Sequence, residues 1–294
     1  MEGEFVVESR TVNKLILAAA HGGDISKAKH WFERLILDFD LKPDVTIFTS
    51  MITAGAKYGD VEFAEEWFEA MQFYQVSPTV ASYGAVILAA ANAQDLAAAE
   101  KWFGKMEEHG LQANQIIFNT VMSAAAKAAD VAACEAWFHK MKEALFVPTE
   151  VEFTTLINAA KEAGNYEKAS EYFSAFRQQG LHPTDIIMDA LIGAAANARQ
   201  PDEAVRVLEQ MRSFKVTPSH RCYGTVMNAW FKTKDALQVM KTMRQMQEAG
   251  YKRSVVDYTM TMSTLKQSLG QQRYQELSRE LFLERRFDKV TSQS

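Results

Sequence analysis

Cysteine and proline are scarce in this 294-residue chain, with two Cys and six Pro. Cys134 and Cys222 cannot build a disulfide framework and stand at no metal-ligand spacing, so both read as packed thiols of a reducing compartment. With 14 Gly and 48% hydrophobic residues, the composition excludes a fibrous, loop-rich or disordered protein. No apolar run approaches the roughly 20 residues that cross a bilayer. A net charge of −5 argues against generic attraction to phosphate backbones or anionic membranes. The acidic start, Met1-Glu2-Gly3-Glu4-Phe5, has neither a signal-peptide apolar core nor an Arg-rich transit pattern; the expectation is a chain not targeted by this segment, or one whose leader has been removed.

Catalytic patterns are also missing. The chain has no Gly-rich phosphate loop, no G-x-S-x-G elbow and no H-E-x-x-H, and its six histidines are scattered. The tail from Glu280 to Ser294 carries no His-x-Glu with Cys-x-x-Cys, the pattern of zinc deaminases. The expectation is therefore no enzyme, metal, cofactor or small-molecule substrate.

What is present is a period. Met71, Met106, Met141, Phe176, Met211 and Met246 are each 35 residues apart. Pro78, Pro148, Pro183 and Pro218 keep the same phase, with Ala113 in the one missing slot. Trp67, Trp102, Trp137 and Tyr172, each followed by Phe, form a third column, and Ala64, Ala99, Cys134, Ala169 and Ala204 a fourth. The repeats run 45–79, 80–114, 115–149, 150–184, 185–219 and 220–254. A seventh precedes them at about 9–44 if one extra residue follows Leu35, and a degenerate eighth covers 255–289, leaving 1–8 and 290–294 as tails.

Within 80–114, Tyr83, Val86, Ile87 and Ala90 make one amphipathic helix, and Ala98, Ala99, Trp102, Phe103 and Met106 a second, with Asp95 as N-cap between them. Gly110, Gly180 and Gly250 close the second helices, and the periodic prolines fall in the linkers. One helical hairpin cannot bury both its faces, so neighbours must stack, and the expected architecture is a single all-α array over 9–289. The Trp, Phe and Met columns read as packing between repeats.

A segment such as Val45-Thr46-Ile47-Phe48-Thr49-Ser50-Met51-Ile52, followed by Gly59-Asp60, Ala64, Phe68, Met71 and Pro78, resembles the pentatricopeptide repeat. The resemblance extends over about 280 residues in at least seven copies, in period, two-helix plan, and the aromatic, Ala, Met and Pro positions. It implies a right-handed α-solenoid that binds single-stranded RNA, about one nucleotide per repeat, in a mitochondrion or chloroplast. By resemblance, the fifth and last residues of each repeat read bases. The fifth positions are Asn13, Thr49, Gly84, Asn119, Thr154, Asp189 and Gly224; the last are Asp44, Thr79, Asn114, Thr149, Thr184, Ser219 and Ser254. Asn13 with Asp44 is a standard pair implying uridine; Asn119 points to a pyrimidine, and Thr49 and Thr154 to purines. Gly84 and Gly224 have no side chain to read with, and Asp189 places a carboxylate there. The second positions, which wedge between bases, are apolar at Ile116, Val151 and Ile186, but are Arg10, Thr46, Ala81 and Arg221 elsewhere.

Charge offers a separate test. The first-helix windows of the seven clear repeats hold nine basic residues against three acidic ones, whereas second helices are acidic, as in Glu62, Glu65, Glu66 and Glu69. Lys57, Lys127 and Lys232 share the thirteenth position, with Lys161 one residue earlier. Such a row suits phosphates; lysines at helix C-termini also satisfy carbonyls and the macrodipole. Two functions remain open. One is an RNA-binding adaptor in transcript stability, processing or translation. The other is a protein-interaction scaffold, with a partner at the degenerate C-terminal repeat.

Overall fold

The computed structural model describes residues 9–22, 24–268, 274–277 and 279, the side chains of residues 9, 10 and 21 excepted. Gln271, Gln272, Arg273 and both tails lie outside the described residues. Fifteen helices follow one another up to residue 268, residues 274–277 are helical as well, and there is no strand among the described residues. The first helices of successive repeats are α1 (Ser9–Gly22), α3 (Val45–Tyr58), α5 (Val80–Asn92), α7 (Gln115–Lys127), α9 (Glu150–Glu162), α11 (Asp185–Asn197), α13 (His220–Thr233) and α15 (Val255–Ser268). The second helices are α2 (Ile25–Leu37), α4 (Val61–Phe73), α6 (Leu96–Glu108), α8 (Val131–Glu143), α10 (Tyr166–Gln178), α12 (Pro201–Ser213) and α14 (Ala236–Glu248). The extra residue of the first repeat lies in the turn after α2, where Asp40 adopts φ +47°.

Both breaks of each repeat follow from backbone chemistry. Asp24, Asp60, Asp95, Asp130, Asn165 and Asp235 each accept a hydrogen bond from the amide three residues ahead, starting the second helices. In α12 Pro201 in the first turn takes over, because Gln200 makes no side-chain cap. Just before the cap, the fifteenth position turns left-handed in six repeats, at Gly59, Gln94, Ala129, Gly164, Arg199 and Lys234. Its neighbour then bonds back to the helix, as in Asp60 N–H to the Gly55 carbonyl at 3.0 Å.

The chain divides into two compact units, residues 1–147 and 148–294. In the first unit α1, α3, α5 and α7 pack in series; in the second, α9, α11, α13 and α15 do. Each of α2, α4, α6, α10, α12 and α14 packs on its own first helix and on the next one. Alanines set how closely first helices approach: Ala89, Ala90, Ala124, Ala125, Ala194 and Ala195 are fully buried. The periodic Met71, Met106, Met141, Phe176, Met211 and Met246 are fully buried as well. In the first unit, each Phe meets the Trp of the next repeat edge to face: Phe32–Trp67 at 4.5 Å, Phe68–Trp102 at 4.7 Å and Phe103–Trp137 at 4.6 Å between centroids. Trp102 and Trp137 donate their indole N–H to Glu65 and Glu100 of the preceding repeat. In the first unit the Trp-Phe column is thus a packing seam between repeats.

Two predictions follow from this geometry. Left-handed φ costs a non-glycine residue about 1–2 kcal/mol, and a Cβ on Gly59 would lie 2.9 Å from the Ala93 nitrogen. Thermal melting should show Gly59→Ala destabilised by at least that much and Ala129→Gly, at φ +56°, stabilised by part of it. Cys134 is buried, and burial, helped by Glu135 and Asp130, pushes its thiol up to about 12. The unreactive protonated form therefore persists through neutral pH, and iodoacetamide should label Cys134 only after denaturation.

Candidate nucleic-acid interface

Each first helix buries its fourth position, aromatic in Phe48, Tyr83, Phe118, Phe153, Tyr223 and Tyr258 and aliphatic in Val12 and Met188. That fixes the helix's rotation. The side left accessible carries positions two, five, nine and thirteen, at the 3-4-4 spacing of one helical face. In α3 these are Thr46, Thr49, Thr53 and Lys57; in α11 they are Ile186, Asp189, Gly193 and Asn197. Eleven residues separate the ends of this stripe, about 17 Å along the axis at 1.5 Å per residue. Position nine escaped the sequence reading, although the helical interval from five to thirteen passes through it; it holds Thr53, Leu88, Ser123, Asn158, Gly193 and Asn228.

The last residue of each repeat is the N-cap of the next first helix. Asp44 accepts from Ile47 N–H at 3.0 Å, Asn114 from Ile117 N–H at 3.0 Å and Thr79 from Ser82 N–H at 3.4 Å. Thr149 forms a capping box with Glu152, whose buried carboxylate accepts from the Thr149 amide and hydroxyl. Ser219 accepts from Cys222 N–H and Ser254 from Asp257 N–H. Thr184 stands at a cap without capping, since its hydroxyl donates to Glu150. The run of Ser, Thr, Asn and Asp at this position therefore has a folding cause, independent of any ligand.

Capping also aims these side chains. Asn13 donates to Asp44 at 3.5 Å and to Thr46, so a fifth residue, its own last residue and the next second residue meet in one polar cluster. The Thr49 hydroxyl reaches Ser82 of the next repeat at 3.1 Å, and Ser82 reaches Thr79 at 3.2 Å. In the second unit, Asp189 pairs with Arg221, the next second residue, at 3.0 Å. The Thr154 hydroxyl oxygen is buried without a hydrogen-bond partner, and Asn119 is half-buried. Gly84 faces the Ile117 side chain, while open space surrounds Gly224. Ile116, Val151 and Ile186 are 73%, 58% and 64% exposed, apolar side chains held in solvent at the second position. The side chain of Arg10 lies outside the described residues.

The lysines close the other end of the stripe. Lys127 donates to the Ala91 carbonyl and to Asn92 Oδ1, each at 3.2 Å, and Asn92 in turn donates to the Ala56 carbonyl at 2.8 Å. The second unit repeats the device: Lys232 reaches Asn197 Oδ1 at 3.4 Å, and Asn197 donates to the Lys161 carbonyl at 3.0 Å. Asn and Lys at position thirteen thus tie the C-termini of adjacent first helices together. Lys57, Lys127 and Lys232 remain exposed, and an ammonium with three donors can cap carbonyls and still meet an anion. Lys161 is more committed, being 24% exposed and paired with Glu162 at 3.1 Å and Asn158 at 3.1 Å. Among the described residues, no group of three or more His, Cys, Asp or Glu could hold a metal ion, and no helix is long and apolar enough to cross a membrane.

The same arrangement of helices occurs in known proteins. Maize PPR10, a pentatricopeptide repeat protein, is 21% identical and superposes with a TM-score of 0.82, over 93% of this chain and 38% of its own. PPR10 in complex with an 18-nucleotide psaJ RNA element gives 20% identity and 0.81, over 92% and 39%. The chain therefore spans about two fifths of the length of PPR10. The PPR domain of protein-only RNase P 1 from Arabidopsis thaliana, in complex with tRNA, is 14% identical with a TM-score of 0.52, over 63% of this chain and 97% of that domain. Among curated protein sequences, none matches the chain. The family described as the pentacotripeptide-repeat region of PRORP matches residues 15–150 and 156–280, nearly the whole length. The chain thus belongs to the pentatricopeptide-repeat family, and its fold is an all-α solenoid of stacked helical hairpins.

Proposed function

We propose that the chain is a non-catalytic adaptor that holds single-stranded RNA along the accessible stripe of its first helices. It would serve the stability, processing or translation of transcripts, in the organelles that the family resemblance implies. The observation that carries this reading is the cluster at repeat junctions, where a fifth residue meets its own last residue or the second or third residue of the next repeat. Side chains held by caps and by each other are pre-organised to meet a base edge without a large ordering cost. Beside them, exposed Ile116, Val151 and Ile186 supply flat apolar surface for base faces. Lys57, Lys127 and Lys232, one helix length away, suit the phosphates. On this reading, the pairs Asn13–Asp44 and Thr49–Thr79, and their counterparts through Gly224–Ser254, face successive nucleotides.

A scaffold for a protein partner is the second reading, favoured by the net charge of −5 and by the second helices' acidic faces. The degenerate repeat at 255–289 would be its docking region.

Fluorescence anisotropy against pools of short single-stranded RNA at two salt concentrations separates the two. Submicromolar, salt-sensitive binding is expected, and absence of binding at low salt would transfer the case to the scaffold. Replacing Lys57, Lys127 and Lys232 together by Ala should lower the slope of log K against log salt by about 2, at roughly 0.7 per phosphate contact on a single strand. A thermal melt of the same variant would register the lost helix-end contacts separately, and an unchanged salt slope would rule out this phosphate row.

A further inference from the structure

Asp189 is the one carboxylate among the fifth positions. It borders a cavity of about 600 Å³ in the second unit, which also includes Asn158, Gly193, Asn197, Arg221 and Asn228. That volume lies within the range of ligand clefts, about 300–1,000 Å³. One carboxylate oxygen, Oδ2, accepts from Arg221 Nε at 3.0 Å. The other, Oδ1, is shielded from solvent and has only the weak Cys222 thiol donor within reach. A half-buried carboxylate oxygen left with so weak a donor is costly unless something else supplies a better one. That thiol is shared with Ser219, whose hydroxyl lies 3.3 Å from it. Arg221, the cover over Asp189, is 80% exposed and free to swing by side-chain rotation alone, while Asp189 is 18% exposed. Gly193 lets the Lys161 chain lie across the floor: a Cβ there would sit 2.8 Å from Lys161 Cδ.

Given the RNA-binding reading above, on which this rests, we propose that the repeat 185–219 selects guanine, with Asp189 accepting from its Watson–Crick edge and Arg221 stacking on its face. The argument is one of donors. A carboxylate is acceptor-only. Guanine presents N1–H and an N2 amino group side by side, two donors matched to two carboxylate oxygens. Adenine and cytosine set a ring nitrogen acceptor beside their single amino donor, and uracil flanks its N3–H with two carbonyls, so each of them brings lone pairs against the charge. Ile186, 64% exposed at the second position of the same repeat, offers the opposite wall, so the base lies between an aliphatic and a guanidinium surface. Arg221 thereby trades its ion pair for stacking while the guanine donors take its place on Asp189.

The test is selection from a random single-stranded RNA pool by the wild type, by Asp189→Asn and by Arg221→Ala, followed by anisotropy on the enriched RNA. The wild type should enrich guanine at one position. Asp189→Asn, nearly isosteric but carrying a donor amide, should lose that preference alone and weaken the selected RNA about tenfold or more, the scale of one bidentate base contact. Arg221→Ala should bind more weakly yet still prefer guanine. A thermal melt and circular dichroism spectrum matching the wild type would exclude misfolding of the Asn variant; if it misfolds, the base preference of Arg221→Ala and of the wild type still decides the matter. RNA binding with no guanine position, or one that survives Asp189→Asn, overturns the assignment while leaving the RNA reading intact. No RNA binding by the wild type removes both. Free GMP competing as well as the selected RNA would make the cavity a nucleotide site and overturn base reading within a strand.

Discussion

Everything in this fold depends on helical hairpins that cannot bury their own apolar faces. A hairpin such as α5–α6 has Val86, Ile87 and Ala90 on one helix and Ala99, Phe103 and Met106 on the other, all essentially inaccessible. That burial comes partly from flanking repeats, because first helices pack on first helices and second helices on the next repeat's first helix. Hydrophobic burial of roughly 1.5–3 kcal/mol per large side chain is thus available only to a stack. The same requirement forces constant spacing, since a slipped repeat would lose its alanine contacts and its Phe–Trp contact together.

The stack then determines where the functional surface can be. With the fourth position buried, each first helix has one accessible stripe, and the stripes of neighbours run side by side within a unit. The N-terminal ends of those stripes gather polar side chains because helices need caps. Their C-terminal ends gather Lys127, Lys232, Asn92 and Asn197 because helix carbonyls need donors. A polar row and a basic row, separated by a helix length, therefore arise from helix termini before any ligand is considered. Evolution needs only to choose among Ser, Thr, Asn and Asp at a cap, all compatible with folding, to vary what the surface presents. Asp189 with Arg221 departs from that pattern: an exposed guanidinium paired with a half-buried carboxylate serves no cap.

Much of this was legible from residues alone. The columns of Met, Pro, Trp-Phe and small residues set the repeat boundaries, the two helices per repeat and the extra residue of the first repeat, because burial at fixed intervals leaves a fixed pattern. The accessible positions two, five and thirteen were also legible, and position nine could have been added from helical spacing. The double role of the last position was less visible. Ser, Thr, Asn and Asp before an apolar helix are a capping signal, yet counting each residue with the repeat it ends hides that it starts the next one. Left-handed Gln94, Ala129, Arg199 and Lys234 carry no glycine to announce the turn that Gly59 and Gly164 show.

The sequence by itself determined the helices, their pairing and their period, since these rest on local propensity, capping and the recurrence of apolar side chains. Only the tertiary structure decided which polar groups meet. That Asn13 reaches Asp44 and Thr46, that Asn92 links Ala56 to Lys127, and that Arg221 covers Asp189 are contacts across 31 to 36 residues. They depend on the rotation and offset between stacked helices, and those are set by how alanines and aromatics pack in three dimensions.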